Sequence, residues 1–307
     1  MKCFHHTDLD GRGAAFWVNL SAGLTDMLLR YENKFIPVSY NDRFPIEIVG
    51  KDELIYIVDF SIAPEDMTEL LKITPNVHWI DHHKTAIEKY AGYPVEIKGV
   101  RNVDYSGCML TYLYLNHLTG GGRDRFSNTI TEEMEEKAPM FTKLIEDHDL
   151  WRFEYGDKTR GFQLWMDTFA HDFTDSKGPW HDPAALIEGL DTICGKGEVL
   201  LQYKREQDRL SATLSSFEVE FEGVKFLAVN EGGNSSQLEA VFDPGKHQAM
   251  MLFKMGKDRK FKVSLFGCPE HDIDLSEIAK KYAGGGYRKA CGFYVEDISN
   301  VLGRTEG

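Results

Sequence analysis

The sequence predicts an α/β protein, with an N-terminal, doubly wound and mostly parallel sheet and a smaller C-terminal α/β domain across a cleft. In the first half of the chain, short apolar runs alternate with amphipathic stretches, a pattern typical of parallel strands joined by crossover helices. A length of 307 residues suits two domains. Strand-like runs return in the last third of the chain, and a second sheet is therefore expected there.

The elements of the N-terminal domain follow from its apolar runs in order. Runs rich in β-branched and aromatic residues predict strands over Met1–His6, Phe35–Tyr40, Leu54–Phe60 and Val77–Ile80. Helical spacing of apolar residues predicts helices over Gly11–Tyr31, Pro64–Leu71, Gly107–His117 and Glu132–Glu146. Because helices repeatedly follow strands, the strands are expected to lie parallel.

The domain boundary is expected near residue 180, where a polar segment containing Gly and Pro interrupts the pattern. We therefore divide the chain into a first domain over residues 1–180, a helical connector over 181–215 and a second domain over 216–307. In the second domain, the pattern predicts strands over Val224–Asn230, Gln248–Met255 and Lys260–Gly267, and helices over Ser236–Phe242 and Asp274–Tyr282.

Charge and cysteine content exclude several classes of protein. The 49 acidic residues outnumber 35 Lys and Arg, and the net charge of −14 excludes a general electrostatic coat for long nucleic acids. Residues 246–289 nevertheless carry ten basic residues against five acidic ones, a local patch suited to phosphate. Five scattered cysteines without a CxxC pair indicate a reducing compartment. Without a signal-like or membrane-spanning apolar stretch, a cytoplasmic protein without membrane contact is expected.

Two clusters of candidate metal ligands stand at predicted strand ends. His6, Asp8 and Asp10 alternate along the chain and can share one side, while Gly11 permits a tight turn into the next helix. Capping of that helix by Asp8 or Asp10 is the alternative. Asp59 follows a strand predicted to be buried on both faces, and ligands of open α/β sheets bind beyond such strand ends. Helix capping is the alternative for Asp59 as well.

Two further clusters complete the pattern. Asp81, His82 and His83 directly follow another strand and offer oxygen and nitrogen donors together, although a polar turn at the sheet edge is the alternative. The predicted helix ending at Glu146 leads into Asp147, and Asp149 two residues later is an alternative ligand. Four such clusters predict a binuclear metal site. Because none contains cysteine, Mn²⁺ is favoured, with Mg²⁺ behind it and zinc less favoured.

The four clusters together resemble the four motifs of the DHH-family phosphoesterases, whose name comes from the third motif. The residues that carry this resemblance are His6-x-Asp8-x-Asp10-Gly11, Asp59, Asp81-His82-His83 and Asp147. The glycine-rich stretch from Gly284 to Phe293 is similar to the signature of the DHH-associated C-terminal domain. The two resemblances span most of the chain, and the Asp-Leu-Trp that ends the fourth motif looks most like the nanoRNase B branch.

The resemblance implies two Mn²⁺ ions, for which Mg²⁺ or Co²⁺ can substitute. It places His6, Asp8 and Asp59 on one ion, and Asp10, the shared Asp59, His82 and Asp147 on the other. Asp147 is preferred over Asp149 because it lies nearer to the apolar Leu144-Ile145 turn, as in the family pattern. Asp81 would orient the histidines, and His83 would contact phosphate or donate a proton.

The resemblance also implies a phosphodiesterase that hydrolyses short RNA or DNA oligonucleotides, or dinucleotides, to 5′-mononucleotides by two-metal activation of water. We expect substrate binding in the second domain, at Asn230, Ser235, Ser236, Gly284, Gly285, Gly286, Tyr287 and Arg288. Tyr287 stands where the family signature usually has His. The alternatives are cyclic dinucleotides, cyclic mononucleotides or pyrophosphate as substrate, or a non-catalytic nucleotide sensor. Homodimerisation is left open.

Overall fold

The computed structural model describes residues 1–29, 33–40, 42–119, 130–173, 175, 177–233, 238 and 241–303; the side chains of residues 23–29 and 117–119 are outside this description. The chain forms two compact units, Met1–Leu201 and Gln202–Gly307. The functional division into residues 1–180, 181–215 and 216–307 remains a prediction.

The first unit contains a four-stranded sheet, as the sequence predicts. Its strands are β1 (Lys2–His6), β2 (Lys34–Val38), β3 (Ile55–Val58) and β4 (Val77–Ile80). They are arranged in the order β2-β1-β3-β4 and every neighbouring pair is parallel. All four strands therefore end at the same edge of the sheet, which brings together residues that are far apart in the sequence.

Helices cover both faces of this sheet. The helices of the first unit are α1 (Leu9–Leu29), α2 (Pro64–Ile73), α3 (Lys84–Lys89), α4 (Gly107–Thr119), α5 (Glu132–Glu136), α6 (Met140–Asp149), α7 (Asp157–Phe169) and α8 (Pro183–Ile187); α9 (Leu190–Ser215) continues into the second unit. Cys3 and Val58 belong to a core with α1, α4 and α6, whereas Phe4 and Ile57 belong to a core with α2. This alternation gives the doubly wound arrangement that was predicted.

The predicted helix over Glu132–Glu146 is wrong as a single element. It is divided into α5 and α6, and Pro139 is the residue that precedes α6. Proline has no N–H to donate to the preceding turn, and its ring clashes with that turn, so it favours a new helix start. The restart sets the orientation of α6, whose last turn carries the fourth motif.

The second unit is built on a six-stranded mixed sheet. Its elements are β5 (Phe217–Phe221), β6 (Val224–Val229), β7 (Ala249–Met255), β8 (Phe261–Gly267), α10 (Leu275–Lys281), β9 (Gly285–Tyr287), β10 (Ala290–Val295) and α11 (Ser299–Leu302). The strand order is β5-β6-β7-β8-β10-β9, and β6 pairs with β7 in parallel. The sequence missed β5, β9 and β10. The predicted helix over Ser236–Phe242 lies mostly outside the described residues.

No helix in the described part of the chain combines the length and the apolar character that a membrane span requires.

Candidate metal centre

Histidine and carboxylate side chains converge at the carboxyl edge of the parallel sheet. His82 Nε2 lies 3.2 Å from Asp59 Oδ1, 3.8 Å from Asp10 Oδ2 and 3.5 Å from Asp149 Oδ2. His6 Nδ1 lies 3.7 Å from the other Asp59 oxygen. Three groups of donor atoms are close enough to hold a metal ion: His6, Asp8 and Asp59; Asp59, His82 and His83; and Asp10, His82 and Asp149.

Asp59 is common to two of these groups and is the most buried carboxylate among them. It is 1% exposed, and neither of its oxygens accepts a hydrogen bond from the described residues. Burial, with the nearby charges of Asp10 and Asp8, raises the pKa of Asp59 well above its usual value. Its φ of +51° is a left-handed conformation that is costly for a residue with a side chain. Such a group requires a compensating partner, and a divalent cation would supply one.

Asp8 serves two roles at the start of α1. Its Oδ1 accepts a hydrogen bond from the Gly11 backbone N–H at 2.9 Å, which caps the helix. Its Oδ2 lies 2.6 Å from His6 Nδ1. The carboxylate of Asp59, 3.7 Å from Nδ1, and the hydrogen-bonded carboxylate of Asp8 raise the pKa of His6 to about 10. Helix capping and ligand placement are therefore compatible at this position.

The amino end of α4 holds Asp10. The backbone N–H groups of Gly107 and Cys108 donate to its two oxygens, at 2.6 and 2.9 Å. Glycine is required at 107 because an added Cβ would lie 2.5 Å from the Cβ of Asp59. The helix end thus fixes Asp10 and packs tightly against Asp59 at the same time.

Asp81 is buried behind the histidines and is absent from the three ligand groups. Its Oδ1 accepts hydrogen bonds from the backbone N–H groups of His82 and His83 and lies 2.7 Å from His83 Nδ1. This geometry suits a residue that orients His83. The His83 side chain is 35% exposed, so it can reach a bound molecule.

The structure does not bring Asp147 into the cluster. Asp147 Oδ1 accepts the Glu154 backbone N–H at 2.7 Å, and Oδ2 accepts the Tyr155 backbone N–H at 3.2 Å and the Thr159 hydroxyl. Its backbone oxygen accepts two further N–H groups of the same loop. Asp147 therefore supports the segment that connects α6 to α7, and the three donors to its side chain, from Glu154, Tyr155 and Thr159, compete with a cation for the carboxylate.

Asp149 is the carboxylate of the fourth motif that does join the cluster. Its Oδ2 is buried and accepts no hydrogen bond from the described residues, and it groups with Asp10 and His82. Burial and the charge of Asp10 raise the pKa of Asp149 to about 8. The sequence had offered Asp149 as the alternative to Asp147, and the geometry favours this alternative.

One aromatic residue at this edge was missed altogether. Tyr40 follows β2 at the carboxyl edge of the sheet, and its ring centroid lies 5.6 Å from that of His6 and 6.0 Å from that of His83. Its position after a parallel strand was the available signal, but its residue type does not suggest a metal ligand.

The predicted substrate residues of the second unit lie in different settings. Gly285, Gly286 and Tyr287 form β9, and Tyr287 is 85% exposed. A Cβ at Gly284 would clash with the Gly292 carbonyl, so this glycine serves the packing of β9 against β10. Arg288 forms an ion pair with Asp272, and Asn230 is exposed directly after β6. Ser235 and Ser236 lie outside the described residues.

The basic patch over residues 246–289 is partly neutralised by ion pairs. Its paired members are Lys246, Lys260, Lys280, Lys281 and Arg288. Lys254 and Lys262 stand directly opposite one another on β7 and β8, and both are exposed. No carboxylate among the described residues pairs with either of them. Facing like charges are unfavourable, and an anion would relieve their repulsion.

The donor set at the sheet edge fits divalent cations. It consists of carboxylate oxygens and imidazole nitrogens, a combination that suits Mn²⁺ and Mg²⁺. The unpartnered oxygens of Asp59 and Asp149 are the specific observation in favour of this fit, because buried oxygens without a donor are costly unless a cation contacts them.

Comparison with known proteins gives relatives of low identity. No protein-family model matches the chain. Oligoribonuclease NrnB of Bacillus subtilis is 24% identical over 313 residues, which cover 96% of this chain and 72% of the relative. Among solved structures, the pGpG-specific phosphodiesterase PggH of Vibrio cholerae has a TM-score of 0.55 at 14% identity, over 97% of this chain and 94% of that one. The DHH domain of a member of the s1p family of ribosomal proteins has a TM-score of 0.56 at 15% identity, over 96% and 82%.

Proposed function

We propose that this chain is a DHH-family phosphoesterase, as its relative NrnB and its fold support. We further propose that it is a metal-dependent phosphodiesterase that hydrolyses short oligonucleotides and dinucleotides to 5′-mononucleotides. The observation that carries the proposal is Asp59: a buried carboxylate without hydrogen-bond donors that lies between two sets of ligand side chains. Such an arrangement suits two cations that share one carboxylate.

One cation would be held by His6, Asp8 and Asp59, and the other by Asp10, Asp59, His82 and Asp149. Asp149 replaces Asp147 in this proposal because the oxygens of Asp147 already accept three hydrogen bonds. Mn²⁺ is the proposed cation. When bound, such cations lower the pKa of a coordinated water and offset negative charge on the phosphoryl group.

The side chains around the cluster would position the substrate and transfer protons. His83 would contact the phosphoryl group or give a proton to the leaving oxygen through Nε2, because its Nδ1 is engaged by Asp81. Asp81 accepts two backbone N–H groups as well, so it holds the His83 ring in one orientation. A positioned general acid contributes roughly 10²- to 10⁴-fold in rate.

A short substrate agrees with the charge of the chain. A protein with a net charge of −14 repels long polyanions, and its basic residues are concentrated in one segment of the second unit. The names of the relatives point the same way, because NrnB is an oligoribonuclease and PggH acts on a dinucleotide, pGpG. We retain the expectation that the stretch from Gly284 to Arg288, with Asn230, Ser235 and Ser236, contacts the substrate.

The test is Mn²⁺-dependent hydrolysis of a labelled RNA dinucleotide and a five-nucleotide RNA. Wild type should release 5′-mononucleotides, and chelation of the metal should stop the reaction. Asp59→Asn and His82→Ala should lose turnover by at least about 10²-fold, since each would remove a cation ligand. Asp66→Asn, an exposed aspartate on α2, is the matched control and should retain wild-type turnover.

The proposal fails if the wild-type protein leaves both RNAs intact in Mn²⁺ and in Mg²⁺. Cyclic dinucleotides, cyclic mononucleotides and pyrophosphate would then be assayed as substrates under the same conditions. Nucleotide binding without turnover of any of them would favour the sensor.

A further inference from the structure

Tyr40 occupies an unusual place for an exposed aromatic residue. It is 52% exposed, yet its ring stacks on the buried Phe60, with centroids 4.5 Å apart and an interplanar angle of 29°. Its edges approach the rings of His6 and His83 at the metal centre. The side chain is thus held against the core while about half of its surface stays open beside the candidate ligands.

The hydroxyl group of Tyr40 restrains the ring further. It is hydrogen-bonded to Ser61. A tyrosine hydroxyl, with an ordinary pKa of about 10, is neutral at physiological pH and places no negative charge against an incoming phosphate. A ring fixed by Phe60 and Ser61 loses little conformational freedom when a ligand packs on it.

Trp151, an exposed aromatic residue two positions after Asp149, is less suited to contact a substrate. It is 66% exposed, but among the described residues its ring contacts His148 and Phe153 and not the candidate ligands. Tyr40, by contrast, contacts two histidines of the centre itself. A nucleotide whose phosphate lies at these histidines carries its base within reach of a neighbouring ring.

We infer that Tyr40 is a base-stacking residue, which packs against the nucleobase that flanks the scissile phosphodiester. The inference rests on the proposed function for the identity of the substrate. Aromatic stacking accepts all four bases because each has a π-face, so Tyr40 would position a short oligonucleotide without selecting its sequence.

The experiment compares three probes: an RNA dinucleotide with a hydrolysis-resistant phosphorothioate linkage, and the same compound with the base removed from either its 5′ or its 3′ nucleoside. Each is titrated calorimetrically into the Mn²⁺-loaded protein. Tyr40→Leu should weaken binding of the intact dinucleotide by roughly 5- to 100-fold. One of the two abasic probes lacks the base that stacks on Tyr40, and Tyr40→Leu should bind that probe as tightly as wild type does. Tyr40→Phe should stay within about twofold of wild type, because the ring is kept.

The matched control is Tyr203→Leu, which removes a 66% exposed tyrosine from α9. It should bind all three probes as wild type does. Steady-state kinetics on the hydrolysable dinucleotide provide a second readout, in which Tyr40→Leu should raise KM more than it lowers kcat.

Equal weakening of all three probes by Tyr40→Leu would overturn the inference, because it would mean that the ring only supports His6 and His83. Unchanged binding of the intact dinucleotide by Tyr40→Leu would overturn it too. The binding titration does not depend on turnover. Base-dependent binding that requires Tyr40 in a protein without hydrolytic activity would therefore sustain the stacking role while the proposed function failed.

Discussion

Replacing Asp147 and Asp149 in turn by asparagine distinguishes the residue that stabilises the α6–α7 loop from the residue that binds a cation. The carboxylate of Asp147 accepts three hydrogen bonds, from the backbone N–H groups of Glu154 and Tyr155 and from the hydroxyl of Thr159. Asparagine keeps one acceptor oxygen and turns an NH₂ group toward the remaining donors. A hydrogen bond to a charged group is worth about 1.5–3 kcal/mol. We therefore expect Asp147→Asn to lower the free energy of unfolding by about 2–4 kcal/mol.

Asp149→Asn should behave in the opposite way. In the described structure its buried Oδ2 accepts no hydrogen bond and has only His82 Nε2 nearby among the ion pairs, at 3.5 Å, so the exchange removes a carboxylate that no hydrogen bond compensates. The free energy of unfolding without metal should stay within about 0.5 kcal/mol of wild type or rise. Cation affinity should fall, because Asp149 groups with Asp10 and His82.

The assay is urea unfolding of the chelator-treated proteins, repeated with Mn²⁺ at increasing concentration. A cation that binds only the folded state adds about 2.7 kcal/mol at 100 times its dissociation constant. Wild type and Asp147→Asn should both gain this increment, from different starting stabilities. Asp149→Asn should gain much less at the same Mn²⁺ concentration.

The opposite pattern would refute this reasoning. If Asp147→Asn kept its stability without metal and lost the Mn²⁺ increment, while Asp149→Asn kept the increment, Asp147 would be the ligand. The resemblance that placed Asp147 on the second ion would then be correct, and the hydrogen bonds of the α6–α7 loop would be replaced when the cation binds.

Three further predictions concern packing and pH. Gly107→Ala places a methyl group 2.5 Å from the Cβ of Asp59, and should weaken Mn²⁺ binding at least about tenfold in a calorimetric titration. Burial lowers the pKa of His78 to about 4, so its contribution to stability is present above pH 6.5 and is lost as the pH falls toward 4; urea unfolding over this window should be less pH-dependent for His78→Gln. A Cβ at Gly197 clashes with the backbone of α7, whereas Gly195 has open space, so Gly197→Ala should lower the thermal unfolding temperature and the control Gly195→Ala should not.

The strands of the first sheet and several candidate ligands could be predicted from the sequence, whereas helices α3 and α7 were missed. Alternating apolar and amphipathic segments identified all four strands of the first sheet to within one or two residues at most ends, because buried parallel strands are short and apolar. In the second unit, β6, β7 and β8 were predicted and β5, β9 and β10 were missed. The two glycines of β9 weaken its strand signal, whereas the alternation of apolar and charged residues in β5 is a strand signal that was overlooked. Both are edge strands of the sheet, and each pairs with the strand that follows it along the chain, β5 with β6 and β9 with β10.

The sequence by itself determined that His6, Asp59 and His82 would lie together, because parallel strands end at one edge and each of these residues stands at or just after a strand end. Only the tertiary structure favours Asp149 over Asp147 as the fourth-motif ligand. Residues two apart on a helix point in nearly opposite directions, so one of them faces the sheet edge and the other faces the next helix. Which one faces which side depends on how α6 is rotated after its restart at Pro139. That rotation is fixed by packing against α1, α4 and α7, and no local pattern records it.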